Sequence, residues 1–294
     1  MSGRSHFGRW GRLPFDRWAI LLLPALLTLA IVFFAPILLL ALQSFHPSAG
    51  LGQLGKEWTL ENYWNFVTDS FYWGIMLDTL LMATIVVTVC MVVAYPVAYF
   101  LARMRSRWKP VLVFLIVSPL LISVVIRNLG WLPILGNSGL INWILRSLGI
   151  LEEPIQLAGN FTGACIGLIH AWLPIMILTI MTVIQRIELE IEEASINLGA
   201  SPFETFWRVL LPLSRPGLLA GYLLVFTVVI SAFVTPGMLG GKRVLVMAVY
   251  VEQQLRVVLN YATSSTAAII LMITAGALTL IALRPPGRDH GKAT

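Results

Sequence analysis

The residues best suited to chemistry outside a membrane lie between 188 and 212, where a polar segment separates two long apolar stretches. It begins with helix-forming residues and carries acids in its first turns, where negative charge favours the helix dipole. Gly199 then suits a left-handed helix end. Ser201, Pro202 and Glu204 predict the start of a second helix through a capping box. The pattern therefore predicts a helix, a glycine turn and a second helix.

The same segment carries apolar side chains that a fully solvated loop would not need. They are Leu198, Phe203, Phe206, Trp207 and Leu210. Exposed apolar side chains mark docking surfaces in many proteins. The pattern fits equally a capped helical hairpin that packs on the protein's own helices, so both interpretations stay open. Pro212 predicts that the second helix ends or kinks before the next membrane span.

Four ionisable side chains lie within or beside predicted membrane spans, where such residues are functional candidates by default. They are Asp78, Arg127, His170 and Glu252. Asp78 and Glu252 could equally be solvated at the outer interface, because boundary charges cost far less than central ones. His170 fits a hydrogen bond to a neighbour better than proton transfer. Arg127 could pair with Asp78, with lipid phosphate or with an acid of another protein.

No ATP-hydrolysing or other catalytic pattern is recognisable. A phosphate-binding loop needs Gly, four residues, Gly-Lys and then Ser or Thr. Around Gly241 and Lys242, Pro236 replaces the first glycine and Arg243 the final hydroxyl residue. No metal-ligand spacing or nucleophile–base pair is evident either, so the chain is not expected to be an enzyme.

Composition indicates that these residues belong to an integral membrane protein, since 58% of the chain is hydrophobic and 12% charged. Uncharged segments long enough to cross a bilayer, about 20 residues, predict an all-α protein with six transmembrane helices. The predicted spans are 18–45, 79–102, 110–126, 159–185, 217–240 and 262–283. Residues 132–150 predict a surface or re-entrant helix. Cys90 and Cys165 fall inside spans and predict small buried residues rather than a disulfide.

The distribution of Lys and Arg predicts the orientation, because basic residues favour the cytoplasmic side. They concentrate in both tails and in the second and fourth connections. Both termini and the polar segment are therefore expected in the cytoplasm. The predicted organisation is a basic cytoplasmic tail at 1–17, a membrane domain at 18–285 with a cytoplasmic loop at 186–215, and a cytoplasmic tail at 286–294.

The spacing of the polar segment resembles the EAA loop of ATP-binding-cassette (ABC) importer permeases. A Glu-Ala-Ser triplet starting at Glu193 is followed by three residues, Gly199, nine residues and a Val-Leu-Leu-Pro run ending at Pro212. The family pattern is Glu-Ala-Ala, three residues, Gly, nine residues, then Ile, any residue, Leu-Pro. Ser195 and Val209 depart from it by small or isosteric changes that leave the helix and the turn intact.

The resemblance extends to spermidine/putrescine-type permeases over roughly 18–284. The further segments that carry it are 118–131, 137–142 and 231–241. It implies the type I importer permease fold, with the last five spans as its core, in the bacterial cytoplasmic membrane. It also implies that the chain forms half of a translocation pathway for a small solute, with a polyamine as the first candidate.

In this family the EAA loop forms a coupling helix that sits in a groove of a separate ATPase. By resemblance, the ATPase-coupling residues are Glu193, Ala194, Leu198, Gly199, Ala200, Ser201 and Pro212. For a polyamine cargo, Asp78 and Glu252 are the natural partners of its ammonium groups. Trp131 or Tyr250 would offer cation–π surfaces, and Arg127 would lie beside the same pathway.

The resemblance implies an assembly of two permeases, two copies of a cytoplasmic ATPase and one external binding protein. The second permease is expected to be non-identical, although a homodimer remains open. This chain is expected to bind no cofactor, because the ATPase uses the ATP and Mg²⁺. An opine, an aminophosphonate, iron or another small solute is the alternative cargo. A secondary transporter acting alone would show internal repeats, and none is evident.

Overall fold

The computed structural model describes residues 15–283. The predicted tails at 1–17 and 286–294 therefore lie largely or wholly outside the described residues. The helices are α1 (Phe15–Ser44), α2 (Glu61–Thr68), α3 (Ser70–Arg103), α4 (Lys109–Val117), α5 (Val124–Leu135), α6 (Leu140–Ser147), α7 (Phe161–Ile184), α8 (Leu189–Asn197), α9 (Pro202–Thr205), α10 (Leu211–Ile230), α11 (Val234–Leu239), α12 (Met247–Gln253) and α13 (Tyr261–Ala282). Strands β1 (Ser48–Gly50) and β2 (Gln53–Leu54) form an antiparallel hairpin after α1.

Five helical segments are long and apolar enough to cross a membrane. They are Leu22–Ser44, Ser70–Arg103, Phe161–Ile184, Pro202–Ile230 and Tyr261–Ala282. These helices confirm five of the six predicted spans, because each overlaps a predicted span and is long enough to cross a membrane. Their boundaries differ from the predicted ones.

The third predicted span, 110–126, is wrong as one continuous helix. After α4 the chain forms a 3₁₀ turn at Ser118–Leu121, and two extended residues precede α5. The helical stretches on either side differ in direction by 98°. Pro119 lies in that turn, and proline in a membrane helix leaves backbone groups that need other partners. The described residues thus hold five continuous spans, or six if the bent pair crosses as one.

The fifth predicted span, 217–240, is displaced towards the N-terminus. Its helix reaches back through one π-helical turn at Phe206–Leu210 and ends at Ile230. Residues 231–233 are not helical, and they separate α10 from α11. The apolar run therefore contains a break that composition alone does not reveal.

Pro212 does not end the second loop helix, because the candidate span continues through it, but a π-helical turn at Phe206–Leu210 distorts the helix just before the proline. A proline usually disrupts the preceding helical turn, since it lacks an N–H and clashes with the carbonyl four residues earlier. Here the N–H of Leu211 bonds to the carbonyl of Phe206, five residues earlier. This wider π turn accommodates the proline without ending the helix.

The core lies where α3, α7 and α10 pack together. Small residues permit the close approach: a Cβ atom on Gly217 would come within 2.8 Å of Val183, and one on Gly221 within 2.6 Å of the Met176 sulfur. Cys90 and Cys165 are both buried, as the sequence predicts. Small side chains at helix contacts are typical of membrane proteins, where van der Waals packing drives association.

The first helix lies at the edge of this core. No residue of the most apolar window in Leu22–Ser44 is buried within the chain. It packs mainly on α13, and at its last turn the Ser44 hydroxyl is 2.7 Å from that of Tyr63 and Ser265 donates to Gln43 at 3.1 Å. Most of α1 is therefore left to face lipid or another chain.

Candidate functional site

The predicted helix, glycine turn and helix between 188 and 212 is confirmed. α8 is followed by Gly199, whose φ of +92° lies in the left-handed region that favours glycine. A Cβ atom there would meet no other atom within 4 Å. Backbone conformation, rather than crowding, is therefore the local reason for glycine. The short helix α9 starts at Pro202, with Ser201 as its N-cap.

Hydrogen bonds make the two loop helices one rigid unit. The N–H of Ser201 donates to the Glu204 carboxylate at 3.0 Å, and the N–H of Glu204 donates to the Ser201 hydroxyl at 3.2 Å. This reciprocal pair is the predicted capping box. The hydroxyls of Ser195 and Thr205 lie 3.0 Å apart and connect α8 with α9. Such a pair can move as a body rather than fold over itself.

One side of this unit is open to a partner, and we call it the docking face. It consists of Glu193, Ala194, Leu198, Gly199 and Ser201, all exposed. Two other predicted coupling residues, Ala200 and Pro212, are half-buried. Leu198 is 88% exposed, and the nearby Phe203 is 71% exposed. Large apolar side chains this accessible are characteristic of interaction sites.

The apolar side chains of this segment divide between the two interpretations that the sequence leaves open. Leu210 is buried, and Phe206 is half-buried. The edge of the Phe206 ring packs on Tyr95 of α3, with ring centroids 5.2 Å apart. These two residues pack on the chain's own helices, as the second interpretation predicts, whereas Leu198, Phe203 and Trp207 stay exposed, as the first predicts.

The side opposite the docking face is tied to α3 by polar contacts. Glu192 is 6% exposed, and its carboxylate pairs with the guanidinium of Arg103. The Tyr99 hydroxyl donates to the same carboxylate at 2.9 Å. Arg103 also donates to the carbonyl of Ile187 at 3.0 Å. A buried carboxylate needs such partners, because desolvation without them is costly.

Tyr95 extends this connection one turn back along α3. Its hydroxyl lies 2.8 Å from that of Ser214 in α10. Tyr95, Tyr99 and Arg103 follow one another at four-residue spacing, which places them on one helix face. This four-residue spacing of polar side chains is the sequence signal from which a contact surface on α3 could have been predicted. From the sequence, Arg103 is only one of the basic residues that indicate a cytoplasmic connection. Its contact with Glu192 was therefore not predicted.

Arg127 borders a cavity where two helix breaks meet. The cavity has a volume of about 560 Å³ and is lined by residues on both sides of the breaks, including Leu120, Ile122, Trp172, Ser231 and Thr235. Arg127 donates to the carbonyl of Pro119 at 3.0 Å, while its Nε is buried with no hydrogen-bond partner among the described residues. No Asp or Glu is among the lining residues that the structure describes. This cavity is therefore positively charged.

Among the remaining candidates, Trp131 and His170 contact each other, whereas Asp78 is not paired with Arg127 in the described part of the chain. Trp131, one turn later on α5, donates its indole N–H to Nδ1 of His170 at 3.2 Å. His170 thus bonds to a neighbouring side chain, an indole rather than a hydroxyl or carbonyl. Asp78 is exposed on α3. Within residues 15–283 it forms no ion pair with Arg127, so the two predicted partners are not brought together.

The two candidates on α12 have different surroundings. Tyr250 is 6% exposed, and its hydroxyl donates to that of Tyr72 at 3.4 Å inside an aromatic cluster. Glu252 is half-buried and lies 3.6 Å from Arg256. It lines a second cavity, of about 850 Å³, between α10, α12 and α13. Glu252 therefore has access to a space that could hold a small solute, whereas Tyr250 is packed away.

Comparison with known proteins gives a family match over most of the membrane unit. The family described as "Binding-protein-dependent transport system inner membrane component" matches residues 94–284. The spermidine/putrescine transport system permease protein PotB of Haemophilus influenzae is 31% identical over 256 residues, which cover 86% of this chain and 89% of that protein. PotB of Escherichia coli K12 is 30% identical over 253 residues, covering 86% and 92%.

Two solved structures have a similar fold. A bacterial ABC transporter involved in the import of the acidic polysaccharide alginate superposes with a TM-score of 0.73 at 15% identity, over 91% of this chain and 93% of that one. The MetNI methionine ABC transporter, in an inward-facing conformation, superposes with a TM-score of 0.57 at 16% identity, over 76% and 95%. At such low identity these likenesses concern the fold alone.

Proposed function

Because this chain belongs to the family of binding-protein-dependent transport system inner membrane components, we propose that the loop at 186–215 couples it to a separate ATPase and that its cargo is a polyamine. The chain is the permease of an ABC importer, a multi-pass protein of the bacterial inner membrane. It is not an enzyme, since a separate subunit hydrolyses the ATP. The observation that carries the coupling proposal is the docking face on a rigid, capped helical pair.

In this proposal the docking face contacts the ATPase directly. Glu193 and Ala194 present the first part of the motif, and Leu198 and Gly199 present its turn. Ala200 and Pro212, both half-buried, maintain the shape of the loop behind them. A rigid element is what force transmission requires, because a flexible loop would absorb the ATPase movement instead of passing it on.

Replacing Gly199 with Asp tests the coupling role. The substitution adds bulk and charge at the centre of the docking face, and it imposes backbone strain because φ is +92°. Gly149→Asp is a matched control, since Gly149 has a φ of +69° and equally open surroundings but lies beyond α6. We expect Gly199→Asp to reach the membrane but to lose ATPase co-purification and uptake, while Gly149→Asp keeps both. ATP-driven uptake at the normal rate by Gly199→Asp would contradict the assignment.

We place the docking face, and both termini, on the cytoplasmic side. The pairing of Arg103 with Glu192 supports this arrangement, because it brings the second and fourth connections to the same end of the bundle. Both connections are rich in basic residues, as the positive-inside rule requires. A cysteine introduced at the exposed Leu198 should react with a membrane-impermeant maleimide only after the cells are permeabilised. Labelling in intact cells would reverse the orientation.

The proposed assembly contains a second, non-identical permease, two ATPase copies and an external binding protein. The exposed face of α1 supports a second membrane chain, because no residue in its most apolar window is buried within the described chain, although the helix packs on α13. One solved relative of the fold is an alginate transporter in complex with a periplasmic protein bound to an alginate pentasaccharide. Co-purification of an ATPase and of two distinct permeases would support the proposal. Uptake by the purified chain alone would favour a secondary transporter.

Spermidine or putrescine is the cargo that the relatives' names favour. Glu252 offers a carboxylate to a cationic cargo in the larger cavity, where an ammonium group would replace the guanidinium of Arg256, which lines the same cavity 3.6 Å away. The Arg127 cavity favours the alternative of an opine or an aminophosphonate, because Arg127 is the one charged residue among its described lining and a guanidinium suits a carboxylate or phosphonate. A thermal-shift screen of the cognate binding protein separates the two. Stabilisation by spermidine or putrescine supports the polyamine proposal, and stabilisation by an opine or aminophosphonate alone overturns it.

A further inference from the structure

α8 is attached to the membrane helices through a single acidic side chain. Among its nine residues, all of them described, Glu192 alone is buried. The groups that surround its carboxylate are the Tyr99 hydroxyl and the Arg103 guanidinium, both from α3. α8 otherwise packs mainly against α9 and the π-helical turn, which belong to the same loop.

Two adjacent acids of α8 therefore have different surroundings. Glu193 is exposed on the docking face, whereas Glu192 is directed at α3. A buried ion pair with an additional hydrogen bond holds its partners in one geometry more strictly than apolar contact does, because charged and hydrogen-bonded groups lose much of their stabilisation when they separate. A contact that keeps a fixed geometry is needed where the movement of one helix must displace another.

α3 extends from this connection to the opposite end of the molecule. It is one helix of 34 residues, and the stretch from Arg103 back to Thr79 corresponds to about 36 Å at 1.5 Å per residue. At that far end the buried Thr79 hydroxyl accepts the N–H of Met247 at 2.7 Å. Met247 begins α12, the helix that carries Glu252 to the larger cavity.

We propose that the stripe Tyr95–Tyr99–Arg103 on α3, held by Glu192, transmits the movement of the docked loop to α12 and its cavity. Glu192 and Arg103 are then positioning residues, which contact neither the ATPase nor the cargo. This inference rests on the proposed coupling function of the loop. It adds a route, along α3, by which a movement of the loop is transmitted to α12 inside the membrane domain.

The test uses the complete transporter in proteoliposomes, and its readout does not depend on the cargo. A reporter cysteine replaces Leu255, an exposed residue that lines the larger cavity, and its rate of maleimide labelling is measured with and without ATP and orthovanadate. The variants are Glu192→Gln, Arg103→Gln, Tyr99→Phe and the charge reversal Glu192→Arg with Arg103→Glu. Glu190→Gln is the matched control, because Glu190 is an exposed acid of the same helix.

We expect trapping with vanadate to change the labelling rate by about fivefold or more in the parent and in the Glu190→Gln control, as typical coupling energies allow. Glu192→Gln and Arg103→Gln should reduce this change to less than about twofold while the ATPase still co-purifies. The charge reversal should recover part of it. Tyr99→Phe removes one hydroxyl at nearly constant volume, so its vanadate-induced change in labelling rate should lie between those of the parent and the charge variants. This variant keeps the test valid if the charge variants reach the membrane poorly.

Three results would overturn or redirect the inference. An unchanged vanadate response in the Glu192, Arg103 and Tyr99 variants would exclude the route through α3 while leaving the docking role intact. Loss of ATPase co-purification by Glu192→Gln, as expected for Gly199→Asp, would show that Glu192 shapes the docking face rather than transmitting its movement. Failure of the parent protein itself to co-purify with an ATPase would instead contradict the proposed function.

Discussion

The side chains of Asn128 and Thr235 hydrogen-bond to each other in the protein interior. The Asn128 amide donates to the Thr235 hydroxyl at 3.2 Å, and that hydroxyl lies 3.4 Å from the amide oxygen. Asn128 is fully buried and Thr235 is 3% exposed. The contact joins α5 to α11, the two segments that follow the helix breaks. It therefore holds both breaks in position around the Arg127 cavity.

Replacing Thr235 with Val should destabilise the protein. The substitution keeps the shape of the side chain but leaves the buried Asn128 amide without this partner, at a cost of about 1–3 kcal/mol. We expect a lower unfolding temperature of the detergent-solubilised protein. Thr84→Val is the control, because the Thr84 hydroxyl is exposed and bonds within its own helix. Equal melting of the two variants would show that the Asn128–Thr235 contact contributes little.

Alanine at Gly217 should loosen the contact between α7 and α10. Its Cβ would lie 2.8 Å from Cβ and Cγ2 of Val183, a β-branched side chain with little freedom to move. Overpacking of this kind costs about 1–3 kcal/mol. Gly74→Ala should be neutral or stabilising, since a Cβ there meets no atom within 4 Å and alanine favours the helix. Thermal unfolding in detergent measures both, and a Gly217→Ala protein as stable as Gly74→Ala would refute the packing argument.

Removal of the Ser201 hydroxyl should weaken the start of α9. Ser201→Ala deletes the bond from the Glu204 N–H, and loss of an N-cap costs about 1 kcal/mol. We expect faster hydrogen–deuterium exchange at 202–205 and a smaller stimulation of ATP hydrolysis in the assembled transporter. Ser106→Ala, which removes a bond from the Trp108 N–H in the second connection, should leave exchange at 202–205 unchanged. Unchanged exchange in Ser201→Ala would mean that the cap does not stabilise the loop.

Neutral substitutions of the two outer acids test the polyamine proposal. Glu252→Gln should raise the spermidine concentration needed for half-maximal uptake by about tenfold, the equivalent of ~1.4 kcal/mol, because the larger cavity would lose its carboxylate. Asp78→Asn should have an effect in the same direction if ammonium groups pass along this side of α3. Glu61→Gln, an exposed acid of α2, is the control. Unchanged spermidine transport in both variants would exclude these acids as cargo partners.

The structure of the capped loop at 188–212 was predictable from sequence because its determinants are local. A left-handed glycine, a serine cap and a glutamate three residues later specify their own backbone over a few residues. The structure confirms all three. Most spans were predictable for a similar reason, since about 20 apolar residues suffice to cross a bilayer whatever they pack against. The prediction of one helix over 110–126 failed because the chain breaks at a 3₁₀ turn containing Pro119 without a change in apolar composition. The helix does not end at Pro212 because a π turn accommodates the proline.

The candidate cargo sites were much less predictable. Sequence identified Arg127, Trp131, Tyr250 and Glu252 as side chains worth testing, but it could not say which of them share a space. The structure places Arg127 and Glu252 at two different cavities and buries Tyr250 against Tyr72. Which side chains line a cavity depends on contacts between helices that lie far apart in the chain.

By itself, then, the sequence determined a membrane protein with a capped helical loop and a family resemblance that the comparisons confirm. Only the tertiary structure decided that Glu192 faces inward to Arg103 while Glu193 faces outward. The physical reason is that hydropathy and capping act between near neighbours in the chain. The partner of a buried charge, by contrast, is selected by helix packing that brings together residues 89 positions apart.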